Sequence, residues 1–207
     1  MEILNKLFGS SEKVRMMRLF ILNPAAQFSV NEVIDRTQTA EKEVHIELAL
    51  LEKISLIKRR TVSRKENPEA LRTKKTQVWG LDSKFIYLDE LKNFLINANL
   101  IKNSELIKRL GRLGKIRLIV IAGVFLNQLD ESKLDLLVVG DGIRRASFEN
   151  IVKSLEAELG KELKYAFFGN DDFAYRLNMY DKLVRDLLDY PHQVVLDRIG
   201  LSQNVVQ

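Results

Sequence analysis

The sequence predicts an α+β protein with a helical N-terminal module and a small α/β C-terminal module. In the first half of the 207-residue chain, apolar residues at helical spacing precede two β-rich runs joined by a basic loop. The second half alternates apolar runs of strand length with amphipathic helical segments, a pattern typical of a small mixed sheet covered by helices. The length is sufficient for two small domains.

Composition narrows the classes of protein to consider. Cysteine is absent and only two histidines occur, His45 and His192. This excludes disulfide bonds, cysteine-ligated zinc and thiol nucleophiles, and it fits a reducing cytosol. No basic, apolar leader opens the chain, and no apolar run approaches the roughly 18 residues of a membrane span. We therefore expect a soluble cytoplasmic protein with no membrane partner.

The charge is distributed unevenly along the chain. Residues 1–110 hold 20 Lys and Arg against 14 Asp and Glu, a net charge of +6, whereas residues 111–207 hold 13 against 14, a net charge of −1. Between Lys53 and Lys75 there are nine basic residues and two acidic ones. This asymmetry suggests two modules, of which the first meets a polyanion. The alternative is a solvated basic loop.

Three short helices are predicted in the first 55 residues. The segment "EKVRMMRLFIL" has helical apolar spacing and is followed by Pro24. Ser29 and Glu32 form a capping-box pattern, which predicts that a second helix begins at Val30. A third helix, residues 40–55, carries one apolar stripe. A tight turn separates the last two, so we expect a helix-turn-helix.

Two β-rich runs, 56–63 and 75–81, follow and flank a loop that contains Pro68. We expect them to pair as a hairpin, with Trp79 packed against the helices; the alternative role of Trp79 is stacking on nucleic acid. The next segment, 87–101, is an amphipathic helix, suited to a linker or to dimerisation. The predicted domain boundaries are residues 1–86, a linker helix at 87–103, and residues 104–207.

The C-terminal module alternates strands and helices. Strands are predicted at 115–123, 134–141 and 162–169, and helices at 103–114, 145–160 and 171–190. The continuous apolar character of the first two strands is typical of strands buried on both faces. In the last helix, Asp181, Arg185 and Asp189 have the spacing of helical ion pairs.

Residues 10–82 resemble the winged helix-turn-helix of the ArsR-like transcriptional regulators. The resemblance is carried by "FSVNEVIDRTQTAEKEVHIELALLEKISLIKRR" and by the closing run "KTQVWGLD". It implies a regulator that binds double-stranded DNA as a homodimer, because two half-sites one helical turn apart need matched readers.

Residues 104–190 resemble the minimal nucleotidyltransferase domain of the DNA polymerase β superfamily. In that family a strand ends in Gly-Ser, the next carries Asp-x-Asp, and a later strand supplies a third carboxylate. The corresponding runs here are "IAGVFLN", "SKLDLLVVGD" and "ELKYAFFG". Gly123 stands for the family's Gly and Val124 for its Ser, whereas Lys133 and Asp135 stand for the Asp pair. The resemblance therefore implies a degenerate nucleotidyltransferase-like domain.

The replacement at Lys133 argues against catalysis. Nucleotidyl transfer in this superfamily uses two divalent metals, and Mg²⁺ prefers oxygen ligands. Residues 133 and 135 share a strand face, so an ammonium beside Asp135 opposes a cation and favours an ion pair. We expect no catalytic residue, no metal and no cofactor. A Mg²⁺ cofactor is expected only if the protein is an active nucleotidyltransferase.

Two further sets of residues have alternative roles. Gly123, Lys133 and Asp135 form a candidate nucleotide or anion site, against the alternative of a structural Lys133–Asp135 pair. The acidic loop residues Asp130 and Glu131 supply a metal ligand only if the loop folds back. Asp171 and Asp172 open the last predicted helix, where capping and pairing with the helix dipole explain them.

The predicted DNA-contacting residues lie on the third helix and the hairpin. The exposed start of the helix is predicted to present Thr39, Lys42, His45 and Ile46. Four glutamates on or beside this face, Glu41, Glu43, Glu47 and Glu52, would repel phosphate. The full set of predicted contacts is Thr39, Lys42, His45, Lys58, Arg59, Arg60, Arg64, Lys65, Arg72, Lys74 and Lys75.

The sequence thus predicts a dimeric DNA-binding transcriptional regulator whose second domain serves dimerisation or the sensing of a nucleotide or small anionic ligand. One alternative is an active, Mg²⁺-dependent nucleotidyltransferase that modifies a small molecule or a protein. The other is a protein–protein adaptor that never contacts DNA, which the acidic third helix favours.

Overall fold

The structure is a computed structural model that describes residues 2–65, 73–97, 101–128 and 134–201. It has the predicted α+β class. Its contacts divide the chain into two compact units, Met1–Ala98 with Glu156–Lys161 and Asn99–Leu155 with Glu162–Gln207. Among the described residues, no helix has both the length and the apolar character needed to cross a lipid bilayer.

The first unit combines helices with a three-stranded sheet. Its elements are α1 (Glu2–Phe8), α2 (Ser11–Leu22), β1 (Gln27–Phe28), α3 (Val30–Thr37), α4 (Glu41–Lys53), β2 (Ile57–Lys65), β3 (Thr73–Leu81) and α5 (Leu88–Asn97). The strands pair antiparallel in the order β1-β3-β2. The capping box predicted at the start of α3 is confirmed: Ser29 N–H donates to Glu32, and Glu32 N–H donates to the Ser29 hydroxyl.

One apolar core joins the helices of the first unit to the β2–β3 hairpin. Phe20, Val33, Leu51 and Trp79 belong to a single buried cluster. Leu95 of α5 is 1% exposed in the same cluster. Each such side chain contributes about 1.5–3 kcal/mol of burial free energy. The helix assigned from sequence to a linker therefore packs on the first unit.

The second unit is a four-stranded sheet with helices. Its elements are α6 (Asn103–Leu110), β4 (Lys115–Ala122), a 3₁₀ turn (Gly123–Leu126), β5 (Leu136–Asp141), α7 (Arg145–Leu159), β6 (Tyr165–Phe168), α8 (Asn170–Asn178), α9 (Lys182–Asp189) and β7 (His192–Asp197). The strand order is β6-β5-β4-β7, with β5 and β6 parallel and the other pairs antiparallel. The predicted mixed sheet is confirmed.

The central strands of this sheet are buried on both faces, as the continuous apolar runs predict. On one face Leu118, Val120 and Val139 pack in a cluster with Phe173 of α8. On the other, Phe148 of α7 contacts the ring of Phe167, with 4.9 Å between the centroids. This packing fixes the end of β4 and the start of β5. Gly123 follows the one directly, and Asp135 precedes the other directly.

The single helix predicted at 171–190 is wrong: it is two helices, α8 and α9, separated at Met179–Asp181. Tyr180 there has a φ of 54°. Asp181 caps α9, because its carboxylate accepts from the backbone N–H groups of Leu183 and Val184. It also pairs with Arg176 at 3.1 Å, rather than with Arg185. The predicted Arg185–Asp189 pair is present at 3.9 Å.

Candidate nucleic-acid interface and the Asp135 site

The β2–β3 hairpin presents basic residues on both of its faces. Arg59 lies opposite Trp79 and Ser63 opposite Lys75, whereas Arg60 lies opposite Val78. Because side chains alternate along a strand, Arg59 and Lys75 project to the face that carries Trp79, and Arg60 projects to the other face. The hairpin is therefore basic on either side.

A groove of about 600 Å³ lies between α4, the start of α3 and the hairpin. Its lining residues are Ser29, Val30, Asn31, His45, Leu48, Ala49, Glu52, Arg59, Lys75, Thr76, Gln77 and Trp79. Arg59 and Lys75 of the hairpin line this groove together with residues of α4. The groove therefore lies between the two elements that were predicted to contact DNA.

The residues predicted to be exposed at the start of α4 are exposed, except Thr39, which precedes the helix. Lys42, His45 and Ile46 are exposed, and Ile46 reaches 55%. Thr39 is only 5% exposed, and its hydroxyl donates to the carbonyl of Thr37 at 3.3 Å. The expectation that Thr39 is available to a ligand is therefore wrong. Its side chain stabilises the turn between α3 and α4.

The four glutamates of α4 divide into two kinds. Glu47 is 9% exposed and accepts from the hydroxyl of Ser10 at 3.0 Å, with Lys13 at 3.7 Å. Glu52 accepts from the indole N–H of Trp79 at 3.4 Å and pairs with Arg59 at 3.4 Å. Both are engaged within the first unit. The other two, Glu41 and Glu43, are exposed, and Glu41 lies 3.8 Å from His45.

The cations of the hairpin also divide into two kinds. Lys58 pairs with Asp82 at 2.8 Å, and Arg59 pairs with Glu52. Arg60 and Lys75 are exposed and have no acidic partner within the described part of the chain. Among the hairpin cations whose side chains are described, those two are available to an anion. Side chains of the remaining predicted contacts on the hairpin lie outside the description: Arg64, Lys65, Arg72 and Lys74.

Trp79 belongs to the core, as predicted. The side chain is 6% exposed and packs in the cluster of the first unit. Its N–H is satisfied by Glu52. A buried indole with a satisfied donor anchors the hairpin to α4 and offers little ring surface for stacking.

Asp135 is buried and held by the backbone of two other segments. It is 4% exposed. One carboxylate oxygen accepts from Val124 N–H at 2.9 Å, and the other accepts from Lys164 N–H at 2.8 Å. Its own N–H donates to the carbonyl of Lys164 at 2.6 Å. The side chain therefore ties together the end of β4, the start of β5 and the approach to β6.

The described residues do not fit the two-magnesium site of the resembled family. Asp135 faces two backbone donors, Val124 is 4% exposed where that family has a serine, and β6 carries no carboxylate. Within the described ranges, no three His, Asp or Glu side chains are grouped to hold a metal ion. Lys133, Asp130 and Glu131 lie outside the described residues. The predicted Lys133–Asp135 pair therefore lies outside them as well.

Asp171 and Asp172 lie in the first turn of α8. The sequence predicted this position, where a carboxylate interacts favourably with the positive end of the helix dipole. Asp172 pairs with Arg176 one turn further at 3.0 Å. Neither residue is grouped with Asp135 as a metal ligand.

The sequence analysis missed a second group of basic residues, which lies in the second unit. Lys115, Arg117 and Arg198 line one pocket. The signal was present in the run "KRLGRLGKIR", residues 108–117, which contains five basic residues and no acidic one. It was overlooked because the net charge of this half is near zero, and because Arg198 is distant in sequence.

Comparisons of this chain with family models, with curated proteins and with solved structures find no match.

Proposed function

We propose that this protein is a dimeric DNA-binding transcriptional regulator, with a winged helix in its first unit and a non-catalytic nucleotidyltransferase-like second unit. One observation carries the proposal: Arg60 and Lys75 of the hairpin are exposed and, among the described residues, without acidic partners, and Lys75 lines the groove beside α4. The acidity of α4 is a weaker objection than the sequence suggests, because Glu47 and Glu52 are engaged inside the unit.

In this proposal α4 enters the major groove, which is about 12 Å wide and admits one helix. Lys42 and His45 are exposed on α4 and suit contacts with base edges or phosphates. Arg60 and Lys75 project from opposite faces of the hairpin and suit the phosphates on either side of it. Phosphate contacts supply affinity and salt dependence, whereas base contacts supply specificity.

Exposed apolar residues of α1 and of the segment around α5 support self-association. Ile3 and Leu7 are 81% and 64% exposed and share a face of α1. Phe8 of α1 contacts Phe94 of α5 edge-on, with 6.2 Å between ring centroids, and Phe94 is still 47% exposed. Tyr87, at the start of α5, is 63% exposed. Large apolar side chains exposed on neighbouring helices are typical of protein interfaces.

Support for a non-catalytic second unit comes from the surroundings of Asp135. A carboxylate whose oxygens accept from two backbone amides in a buried position has a structural role that needs no metal. Incubation with labelled ATP and Mg²⁺ separates this role from the enzyme alternative. We expect no transfer of label to protein or small molecules, and sustained transfer abolished by Asp135→Ala would contradict the proposal.

Fluorescence anisotropy with mixed-sequence duplex DNA tests DNA binding. The double variant Arg60→Ala, Lys75→Ala is compared with Lys153→Ala, Lys182→Ala, which removes two exposed lysines of the second unit. We expect the first variant to lower the slope of log K against log salt by about 0.9 for each DNA phosphate that the protein no longer neutralises. The control should leave the slope unchanged.

Failure of the unmodified protein to bind DNA at low salt would contradict the proposal. That result would favour the adaptor alternative, which the exposed Glu41 and Glu43 support. Equal effects of the two double variants would show that the hairpin has no special part in binding.

A further inference from the structure

A basic pocket lies in the second unit at the end of the sheet remote from Asp135. It has a volume of about 470 Å³ and is lined by Ile107, Gly111, Gly114, Lys115, Ile116, Arg117, Leu196 and Arg198. Lys115 begins β4 and Ala122 ends it, so the pocket and the Asp135 site are about 23 Å apart at the rise of a strand. The two sites are therefore separate.

The pairing of β4 with β7 brings the two guanidinium-bearing residues together. Leu118 lies opposite Asp197, and Arg198 N–H donates to the carbonyl of Arg117 at 2.8 Å. Lys115 stands two residues before Arg117 on β4, and both line the pocket. All three cationic side chains are exposed where they line the pocket.

No carboxylate of the described residues forms an ion pair with this group. Lys115, Arg117 and Arg198 take part in no ion pair among those residues, and the pocket lining contains no acidic residue. Lys115 lies opposite Asp141 across β4 and β5, but the Asp141 carboxylate accepts from Asn170. One carboxylate oxygen of the neighbouring Asp197 accepts from the backbone N–H groups of residues 199, 200 and 201. Asp171 borders an adjoining cavity with Arg117, but the two form no ion pair.

Like charges on adjacent strands destabilise the folded state. The three cations line one pocket and have no acidic partner in the described chain, so their repulsion lowers the free energy of unfolding. A bound anion would offset this repulsion. Apolar side chains of Ile107, Ile116 and Leu196 complete the lining. Charged groups at the mouth of a partly apolar cavity of several hundred Å³ are typical of small-molecule sites.

We propose that this pocket binds a small organic phosphate with at least two negative charges and an apolar portion. Arg117 and Arg198 hold the phosphates, since guanidinium groups match phosphate geometry, and Lys115 adds a third positive charge. The apolar lining accepts the rest of the ligand. This inference concerns the second unit alone, and it remains valid or fails whether or not the first unit binds DNA.

Isothermal titration calorimetry of the full chain in magnesium-free buffer tests it with ADP, inorganic pyrophosphate and adenosine as probes. We expect ADP to bind more tightly than pyrophosphate, because it adds apolar contact to the same charge, and adenosine not to bind. The double variant Arg117→Ala, Arg198→Ala should weaken ADP binding about tenfold or more. The control Arg144→Ala, Lys153→Ala removes the same charge elsewhere and should retain binding.

One further variant and two melting measurements keep the test independent of folding defects. Arg198→Lys preserves the charge and should keep most of the affinity for pyrophosphate. The ligand-free double variant should melt at the same temperature as the unmodified protein or higher, because like-charge repulsion is relieved. ADP should raise the melting temperature of the unmodified protein and not that of the double variant.

Several outcomes overturn the proposal. These are no binding of ADP or pyrophosphate, equal loss in the control variant, or full retention of binding in the double variant. Binding of a 20-base-pair duplex that Arg117→Ala, Arg198→Ala abolishes, with no binding of ADP, would assign the pocket to nucleic acid and also overturn it.

Discussion

The buried carboxylate of Asp135 accepts a hydrogen bond from the backbone N–H of Val124 at 2.9 Å. Its other carboxylate oxygen accepts from the backbone N–H of Lys164 at 2.8 Å. The two hydrogen bonds connect the end of β4, the start of β5 and the approach to β6. In the proposed function, this connection takes the place of catalysis.

Replacement of Asp135 by Asn should therefore destabilise the protein. An asparagine has one acceptor oxygen, so its NH₂ group would face one of the two backbone donors, from Val124 or Lys164. We expect a loss of about 2–4 kcal/mol in the free energy of unfolding, measured by urea denaturation. Asp171→Asn, at an exposed position in the first turn of α8, should cost less than about 1 kcal/mol.

The opposite result would contradict a structural role for Asp135. A carboxylate kept for function is often a burden on folding, so its neutralisation stabilises the protein. An increase in the free energy of unfolding with Asp135→Asn would thus indicate a site retained for a ligand.

Neutralising the exposed glutamates of α4 should strengthen DNA binding. Glu41 and Glu43 are exposed at the start of the proposed recognition helix. Two unit charges 4 Å apart in water interact by about 1 kcal/mol, so Glu41→Gln and Glu43→Gln should each raise affinity at low salt by up to about fivefold. Anisotropy titrations at two salt concentrations measure the effect, which should fade at the higher one.

Glu47→Gln is the contrasting variant. It should leave DNA affinity unchanged and lower the free energy of unfolding by about 1–2 kcal/mol, because Glu47 accepts from Ser10 and pairs with Lys13. Glu47→Gln and Glu41→Gln could instead raise DNA affinity equally. That result would contradict the conclusion that Glu47 is engaged within the first unit whereas Glu41 faces the DNA.

The fold was predictable where local chemistry determines structure. Ser29 and Glu32 fix the start of α3 through hydrogen bonds within four residues, and the apolar run of β4 follows from burial on both faces. The edge strand β7 was missed, because its side chains are mostly half-buried and give a weak alternation. The break between α8 and α9 was missed because the apolar stripe continues through it.

The sites were predictable only in part, because their decisive partners are distant or belong to the backbone. The amide donors from Val124 and Lys164 carry no side-chain signal in the sequence. Thr39 was expected to be exposed from helical spacing, but its hydroxyl is used in the turn before α4. Arg117 meets Arg198 only through the pairing of β4 with a strand that was not predicted.

Charges introduced on α1 should disrupt the proposed dimer. Ile3 and Leu7 share an exposed apolar face, so a glutamate at either position places a charge in the interface. We expect Ile3→Glu, Leu7→Glu to raise the dimer dissociation constant about tenfold or more, as for interface positions that lose over about 1.4 kcal/mol. Sedimentation equilibrium measures this constant.

Met179→Glu, at an exposed position of the second unit, is the matched control and should leave association unchanged. A double variant on α1 that dimerises as tightly as the unmodified protein would exclude this face from the interface.

The ion pair between Asp82 and Lys58 should make stability depend on pH in the acid range. The Lys58 ammonium, 2.8 Å away, is the main cause that holds the pKa of Asp82 below its ordinary value of 3.8, and the Lys84 N–H adds to the effect. Because the unfolded chain binds the proton more readily, stability rises with pH across this range. The contribution is complete above about pH 4 to 5 and is lost as the pH falls through the lowered pKa.

Asp82→Asn should therefore lower the free energy of unfolding at pH 7 and have a smaller effect near pH 3, in urea titrations at both values. Asp189→Asn, whose exposed partner Arg185 is 3.9 Å away, should change little at either pH. An effect of Asp82→Asn that stays constant from pH 7 to pH 3 would show that its carboxylate acts through neutral hydrogen bonds rather than through its charge.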